Sequence, residues 1–242
     1  LLAPQIGVVI AARGKPRAVE RCVQALLRQT LSPRAFEVIV VDESDDDATR
    51  DVIAGLAAIP DVPVLRYLRP RDRMCSKAAA RNVGWQASAA SLIAFTDVDA
   101  VPDSHWLMEG WRALGPDCVA VCGRVLNQKR SDVSIANTFV RREVLAAIGG
   151  LDERFASGAR EASDLCYTLR ERHGRVAHSE RAVVAYPSSP PEPRRADLGA
   201  EALLYGKHPV LYRRQVLRQP LLQRVIVMML GAFARHMKVP SR

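Results

Sequence analysis

The chain has 242 residues, 48% of them apolar and 25% charged, with a formal net charge of +9. That balance excludes a disordered or fibrous chain, and the length suits one large α/β domain with a real core, or two small domains. The positive charge is concentrated: residues 202–242 hold no Asp or Glu but carry Lys207, Arg213, Arg214, Arg218, Arg224, Arg235, Lys238 and Arg242, so the rest is nearly neutral.

Ile6-Gly7-Val8-Val9-Ile10-Ala11-Ala12 reads as a buried strand that ends in a Gly14/Pro16 turn. No secretory signal is visible in the residues ahead of it. Residues 17–29 place Ala18, Val19, Cys22, Val23, Leu26 and Leu27 at helical spacing. Phe36-Glu37-Val38-Ile39-Val40-Val41 is a second strand, followed at once by Asp42-Glu43-Ser44-Asp45-Asp46-Asp47. Residues 47–56 read as a helix with acid at its start, where it complements the macrodipole. Residues 62–68 form a third strand, and 76–90 an alanine-rich helix containing Ala80-Arg81-Asn82-Val83-Gly84.

The run Ser91-Leu92-Ile93-Ala94-Phe95-Thr96-Asp97-Val98-Asp99-Ala100 is a short apolar strand that stops at two carboxylates. On an extended segment Asp97 and Asp99 project to one side, because strand side chains alternate. Like charges so close call for a cation or a set of donors, and hard oxygen ligands suit Mg²⁺ or Mn²⁺, ions that carry diphosphates. The bland alternative is a solvated turn, in which Asp is common.

Beyond Pro102, a short helix carries Trp106, Leu107 and Trp111, and residues 119–125 and 135–141 read as strands. Residues 142–148 are helical, capped by Gly149-Gly150, and 161–172 form an amphipathic helix with Leu165, Cys166 and Leu169 inward. Residues 176–177 and 182–186 read as short strands, and the prolines of 187–193 separate them from the tail. Strands alternating with helices argue for a mostly parallel sheet covered on both faces. Open α/β sheets bind ligands outside the carboxyl ends of their strands, so Ala12, Asp42 and Asp97 fall on one rim, the size of a nucleotide crevice.

The five cysteines show no metal-site spacing and read as reduced core thiols of a cytoplasmic protein. In the tail, 203–212 and 217–233 have apolar residues at near-helical spacing among basic ones, and the longest uncharged run, 225–234, is too short to span a bilayer. That pattern fits either a helix packed on the domain or a basic amphipathic helix on the inner face of an anionic membrane. Nucleic acid is not an expected partner.

Val40-Val41-Asp42-Glu43 with Asp47 and Thr49, Ala80-Arg81-Asn82-Val83-Gly84, Phe95-Thr96-Asp97-Val98-Asp99, Arg141-Arg142 and Gly149-Gly150-Leu151-Asp152-Glu153-Arg154-Phe155 occur in one order. This series resembles the motifs of the family-2 glycosyltransferases over residues 4–186. The resemblance implies a GT-A (Rossmann-like) domain at 1–186, followed at 187–242 by a linker and a basic helical tail. It implies inverting transfer of a sugar from a nucleotide-diphosphate donor, UDP favoured, to a carbohydrate, lipid-linked or small-molecule acceptor. Asp42 would then bond the nucleobase, with Ala11, Ala12 and Arg13 framing it. Arg81 would lie towards the phosphates, Asp97 towards ribose or metal, and Asp99 would hold the Mg²⁺ or Mn²⁺.

Three positions depart from the family pattern. Where the family has Glu-Asp-x-Asp-Leu, with the first Asp as the base, this chain has Glu161-Ala162-Ser163-Asp164-Leu165. Alanine cannot accept a proton, so Glu161 or Asp164 serves or the protein is impaired. Tyr186 stands where a metal-binding His is common, and a protonated phenol is a poor Mg²⁺ ligand. The first strand ends in Ala11-Ala12-Arg13, with no aromatic ring to stack on a base. Two other readings stay open: a nucleotide-binding module without activity, and a sugar nucleotidyltransferase, whose glycine-rich loop Ala11-Ala12-Arg13-Gly14-Lys15-Pro16-Arg17 faintly resembles.

Overall fold

The computed structural model describes residues 4–70, 76–126, 134–156, 158, 160–187 and 197–216. Cys75, the prolines beyond Pro187 and the second basic stretch of the tail lie outside the described residues. In chain order the elements are β1 (Ile6–Ala12), α1 (Pro16–Leu27), β2 (Phe36–Asp42), α2 (Ala48–Ala57), β3 (Val64–Leu68) and α3 (Lys77–Ala87). There follow β4 (Leu92–Asp97), β5 (Val101–Pro102), α4 (Trp106–Ala113), β6 (Cys118–Val125), β7 (Thr138–Arg141) and α5 (Arg142–Ile148). Last come α6 (Glu161–Arg172), β8 (Arg175–Ala185), α7 (Leu198–Lys207) and α8 (Pro209–Val216).

The strands form one eight-stranded sheet in the order β3-β2-β1-β4-β7-β6-β8-β5. The first four are parallel, β7 runs antiparallel to both β4 and β6, and β8 runs parallel to β6. All seven residues of β1 are buried, which a strand covered on both faces requires. Alternation divides them: Ile6, Val8 and Ile10 pack with Val19, Val23 and Leu26 of α1, while Val9 packs with Ala78 and Trp85 of α3 on the opposite face. The α/β sheet flanked by helices is therefore as the sequence implies.

The order places β1 at the turning point of the topology. The chain moves outward from β1 to β3, then returns to lay β4 against the other side of β1. Crevices for ligands form at such a reversal, outside the strand ends. Here Ala12 is level with Asp42 of β2, and Ala11 with Asp97 of β4.

Three elements differ from the sequence reading. Residues 135–137 form a single 3₁₀ turn before β7, because the Ser134 hydroxyl accepts from the Ala136 N–H and competes with the strand ladder. The two short strands at 176–177 and 182–186 are one strand, β8, whose register against β6 jumps between Gly123/Ser179 and Arg124/Val183. The polar residues that looked like a break form a bulge there, and the Ser179 hydroxyl accepts from the Ala182 N–H. In the tail, α7 stops at His208 and α8 starts at Pro209, since proline has no N–H with which to continue a helix.

Residues 197–216 pack back on the body. Ala200, Leu204 and Tyr212 share a buried cluster with Phe155 and Tyr167. Among the described residues no helix is long and apolar enough to cross a membrane.

Candidate functional site

The rim after β1 is a tight turn. Gly14 and Lys15 both take left-handed backbone angles, φ +67° and +62°. Glycine adopts that conformation freely, but a side chain at Lys15 makes it uncommon. The turn brings the Gly14 N–H to Asp42 Oδ1 at 3.2 Å, and Lys15 Nζ to Asp99 Oδ2 at 2.8 Å. Carboxylates from the ends of β2 and β4, far apart in sequence, therefore meet on either side of two consecutive residues.

Asp42 is fully buried. Besides Gly14, it accepts from the Ser44 N–H at 3.1 Å and from the Ser44 hydroxyl at 2.5 Å. Three donors compensate its desolvation, and a carboxylate with about four acceptor positions retains room for one more donor.

Asp97 closes β4, and the Ala100 N–H bonds back to the Asp97 carbonyl, so the chain turns before Asp99. This corrects the expectation that alternation along one strand aligns the two carboxylates, because Asp99 lies beyond the strand. Their partners are separate. Asp97 Oδ1 accepts from Arg81 at 2.8 Å and Oδ2 from the Tyr186 hydroxyl at 3.2 Å, whereas Asp99 pairs with Lys15.

Arg81, in the second turn of α3, is 1% exposed. Its Nη1 donates to both oxygens of Glu161, at 2.8 and 2.6 Å, and Nη2 reaches Asp97. Nε has no protein partner among the described residues. The resemblance places Arg81 towards the phosphates; the structure shows it as a buried bridge between two motif carboxylates. Burial alone would raise the Asp97 pKa, but the charges of Arg81 and Lys77 and the bonds from Arg81 and Tyr186 hold it below the usual carboxylate value. The Tyr186 phenol is pushed up, first by burial and then by the charge of Asp97, so it stays protonated and donates.

Asn82, next in the Ala-Arg-Asn motif, is structural. Its amide donates to the Leu151 carbonyl and to Glu153 and accepts from the Leu151 N–H, tying α3 to the Gly149-Gly150 loop. Gly150 has φ +83°, and a Cβ there would fall 2.5 Å from Asn82 Oδ1. Glycine is needed on both counts.

At the start of α6, Glu161 is committed to Arg81, and Ala162 packs against the apolar cluster of Leu165 and Leu169. Asp164 points to a different network. It pairs with Lys207 at 2.6 Å and His208 at 3.0 Å; Lys207 also holds Asp152, and His208 reaches Glu171 at 2.7 Å. Of the two sequence candidates for a base, Glu161 joins the rim through Arg81, while Asp164 anchors α7. Ala11 and Ala12 lie buried in β1 beside the rim, and Arg13 is exposed at its edge.

Lys15, Ser44, Lys207 and His208 were not singled out as individual site residues from the sequence. For Lys15 a signal existed: a Gly-Lys-Pro turn at a strand end, facing acidic ends on the neighbouring strands. Mg²⁺ or Mn²⁺ at Asp97 and Asp99 finds a poor set of ligands. Both Asp97 oxygens accept from protein donors, Asp99 is held by an ammonium, and Tyr186 donates where a third ligand would sit. Among the described residues no group of three or more His, Cys, Asp or Glu side chains could hold a metal. The residues present do not fit a resident divalent ion.

Comparison with known proteins gives a consistent result. A family model described as glycosyl transferase family 2 matches residues 7–176. "Glycosyltransferase AglE" of Haloferax volcanii is 24% identical over 200 residues, covering 70% of this chain and 65% of its own. A validoxylamine A glucosyltransferase of Streptomyces hygroscopicus subsp. limoneus is 35% identical over 104 residues, 43% of this chain and 22% of its own. The chain thus spans less than two thirds of either relative. Among solved structures, a mannosyltransferase of Pyrobaculum calidifontis in complex with GDP-Man and Mn²⁺ superposes with TM-score 0.67 at 18% identity, covering 96% of this chain and 70% of that one. S. aureus TarS residues 1–349 in complex with UDP-GlcNAc gives 0.66 at 13% identity, covering 95% and 71%.

Proposed function

Since the chain belongs to glycosyl transferase family 2, we propose that its rim binds a nucleotide-diphosphate sugar and that the protein transfers the sugar to an acceptor hydroxyl with inversion. One observation carries the reading: Asp42 at the end of β2, and Asp97 and Asp99 at and just past the end of β4, converge on the Gly14–Lys15 turn. A nucleobase donor would take the remaining acceptor position of Asp42, and the diphosphate would lie across the turn towards Asp97 and Asp99. UDP is the favoured nucleotide, and a carbohydrate, lipid-linked or small molecule the acceptor. Solved structures of similar fold in complex with GDP-Man and UDP-GlcNAc support a nucleotide-sugar donor.

Inversion needs a carboxylate to take the acceptor proton opposite the leaving group. In this chain Glu161 has both oxygens on Arg81, Asp164 serves the α7 anchor, and position 162 has no carboxylate. The same observations favour a second reading, a nucleotide-binding module whose transfer step is weakened. Calorimetry with UDP, GDP and dTDP tests what the two readings share. One of them binds with a micromolar to millimolar constant, as expected of a donor product. Absence of binding by all three, with and without Mn²⁺, removes both readings.

A further inference from the structure

A donor diphosphate brings about two negative charges to a rim already holding Asp97, Asp99 and Glu161, so cations must meet it. This chain supplies them. Arg81 bridges Glu161 and Asp97, and Lys15 Nζ is 2.8 Å from Asp99 Oδ2. At rest Arg81 answers Glu161 and Asp97 and Lys15 answers Asp99, so the ligand's charge is met by a cation that can leave its carboxylate.

Lys15 is the member best placed to move. Its side chain is 59% exposed, so the ammonium is open to a ligand while resting on Asp99. Its backbone sits in a left-handed conformation that residues with a Cβ avoid, directly after left-handed Gly14. An exposed ion pair adds little to stability, so folding alone does not explain an uncommon backbone angle there. Such angles gather at ligand-binding turns. At rest a metal would have to compete for its ligands: both Asp97 oxygens accept from Arg81 and Tyr186, and Asp99 Oδ2 rests on Lys15.

We propose that Lys15, beside Arg81, makes the phosphate contact that a divalent ion would otherwise make, so that nucleotide binding in this chain does not depend on a divalent ion. The inference rests on the nucleotide-sugar reading above. On binding, Nζ exchanges Asp99 for a phosphate oxygen, a charge-assisted bond of the same kind.

The test is calorimetry of UDP and GDP in EDTA and in Mn²⁺, on the chain as it is and on Lys15→Met and Lys15→Arg, with matching melting temperatures as the folding check. The unaltered chain binds in EDTA within about threefold of its affinity in Mn²⁺. Lys15→Met loses about tenfold or more in EDTA and regains it in Mn²⁺, because the freed Asp99 can then hold the ion. Lys15→Arg keeps metal-free binding. Binding by the unaltered chain only in Mn²⁺, or equal binding in EDTA by Lys15→Met, overturns the inference and leaves the nucleotide site standing. No binding under either condition overturns both.

Discussion

Ala162→Asp raises the rate of donor hydrolysis by at least about 100-fold while leaving nucleotide affinity within about threefold, because a positioned general base contributes roughly 10²–10⁴ in rate. Position 162 is the second residue of α6, where the helix dipole favours a carboxylate. Glu161 and Asp97 already occupy both Nη groups of Arg81, so a new carboxylate at 162 would meet little of the guanidinium's charge and keep a free oxygen. Water serves as acceptor in the assay, which removes the need to know the natural one. The experiment also separates the two functional readings. Negligible turnover by the unaltered chain, with turnover appearing in the variant, means the rim is competent and the base is missing. Equal rates in both mean that a group already present takes the proton, and Glu161 after release from Arg81 is then the residue to replace next.

Arg81→Met is expected to lower stability by about 3–5 kcal/mol, because removing one partner of a buried ion pair strands the others. For a chain of this size that is a fall in melting temperature of roughly 10 °C. Glu161, 3% exposed, would lose both of its hydrogen-bonded contacts, and Asp97 would keep only Tyr186. The double change Arg81→Met with Glu161→Gln recovers part of the loss, since it removes an orphaned charge. A single variant that melts within 2 or 3 °C of the unaltered chain, about 1 kcal/mol or less, would show that the bridge contributes nothing. Acid sensitivity follows in a definite direction. The folded-state pKa of Asp97 is depressed, so its stabilising contribution is complete above the unfolded value near 4 and is lost as pH falls through the lower folded value. Arg81→Met removes that depression, and the variant's stability therefore changes less between about pH 5 and pH 2.

Much of this arrangement was legible in the sequence for one physical reason. The inner strands are buried on both faces and so read as unbroken apolar runs, and β1, α5 and α6 have the boundaries that periodicity gives. Acid at the ends of β2 and β4 then marked the rim. Partner choice across the fold was not legible. Lys15 and Asp99 are 84 residues apart, and no local pattern pairs them. The extended geometry assumed for Asp97 and Asp99 failed because the strand ends at Asp97 and the chain turns before Asp99. The tail misled in a similar way. Lys207 reads as one more charge in a basic stripe, yet it lies between Asp152 and Asp164, both from acidic motifs of the body. Charge counted along a sequence says nothing about which acids, brought close by packing, will answer it.

The central claim is that a nucleotide diphosphate lies across the turn after β1. A crystal structure of the chain grown with UDP tests it most directly. The uracil is expected beside Asp42, with the diphosphate against Lys15 and the Lys15–Asp99 contact of 2.8 Å broken. A nucleotide bound elsewhere, with the Lys15–Asp99 pair intact, would contradict the account.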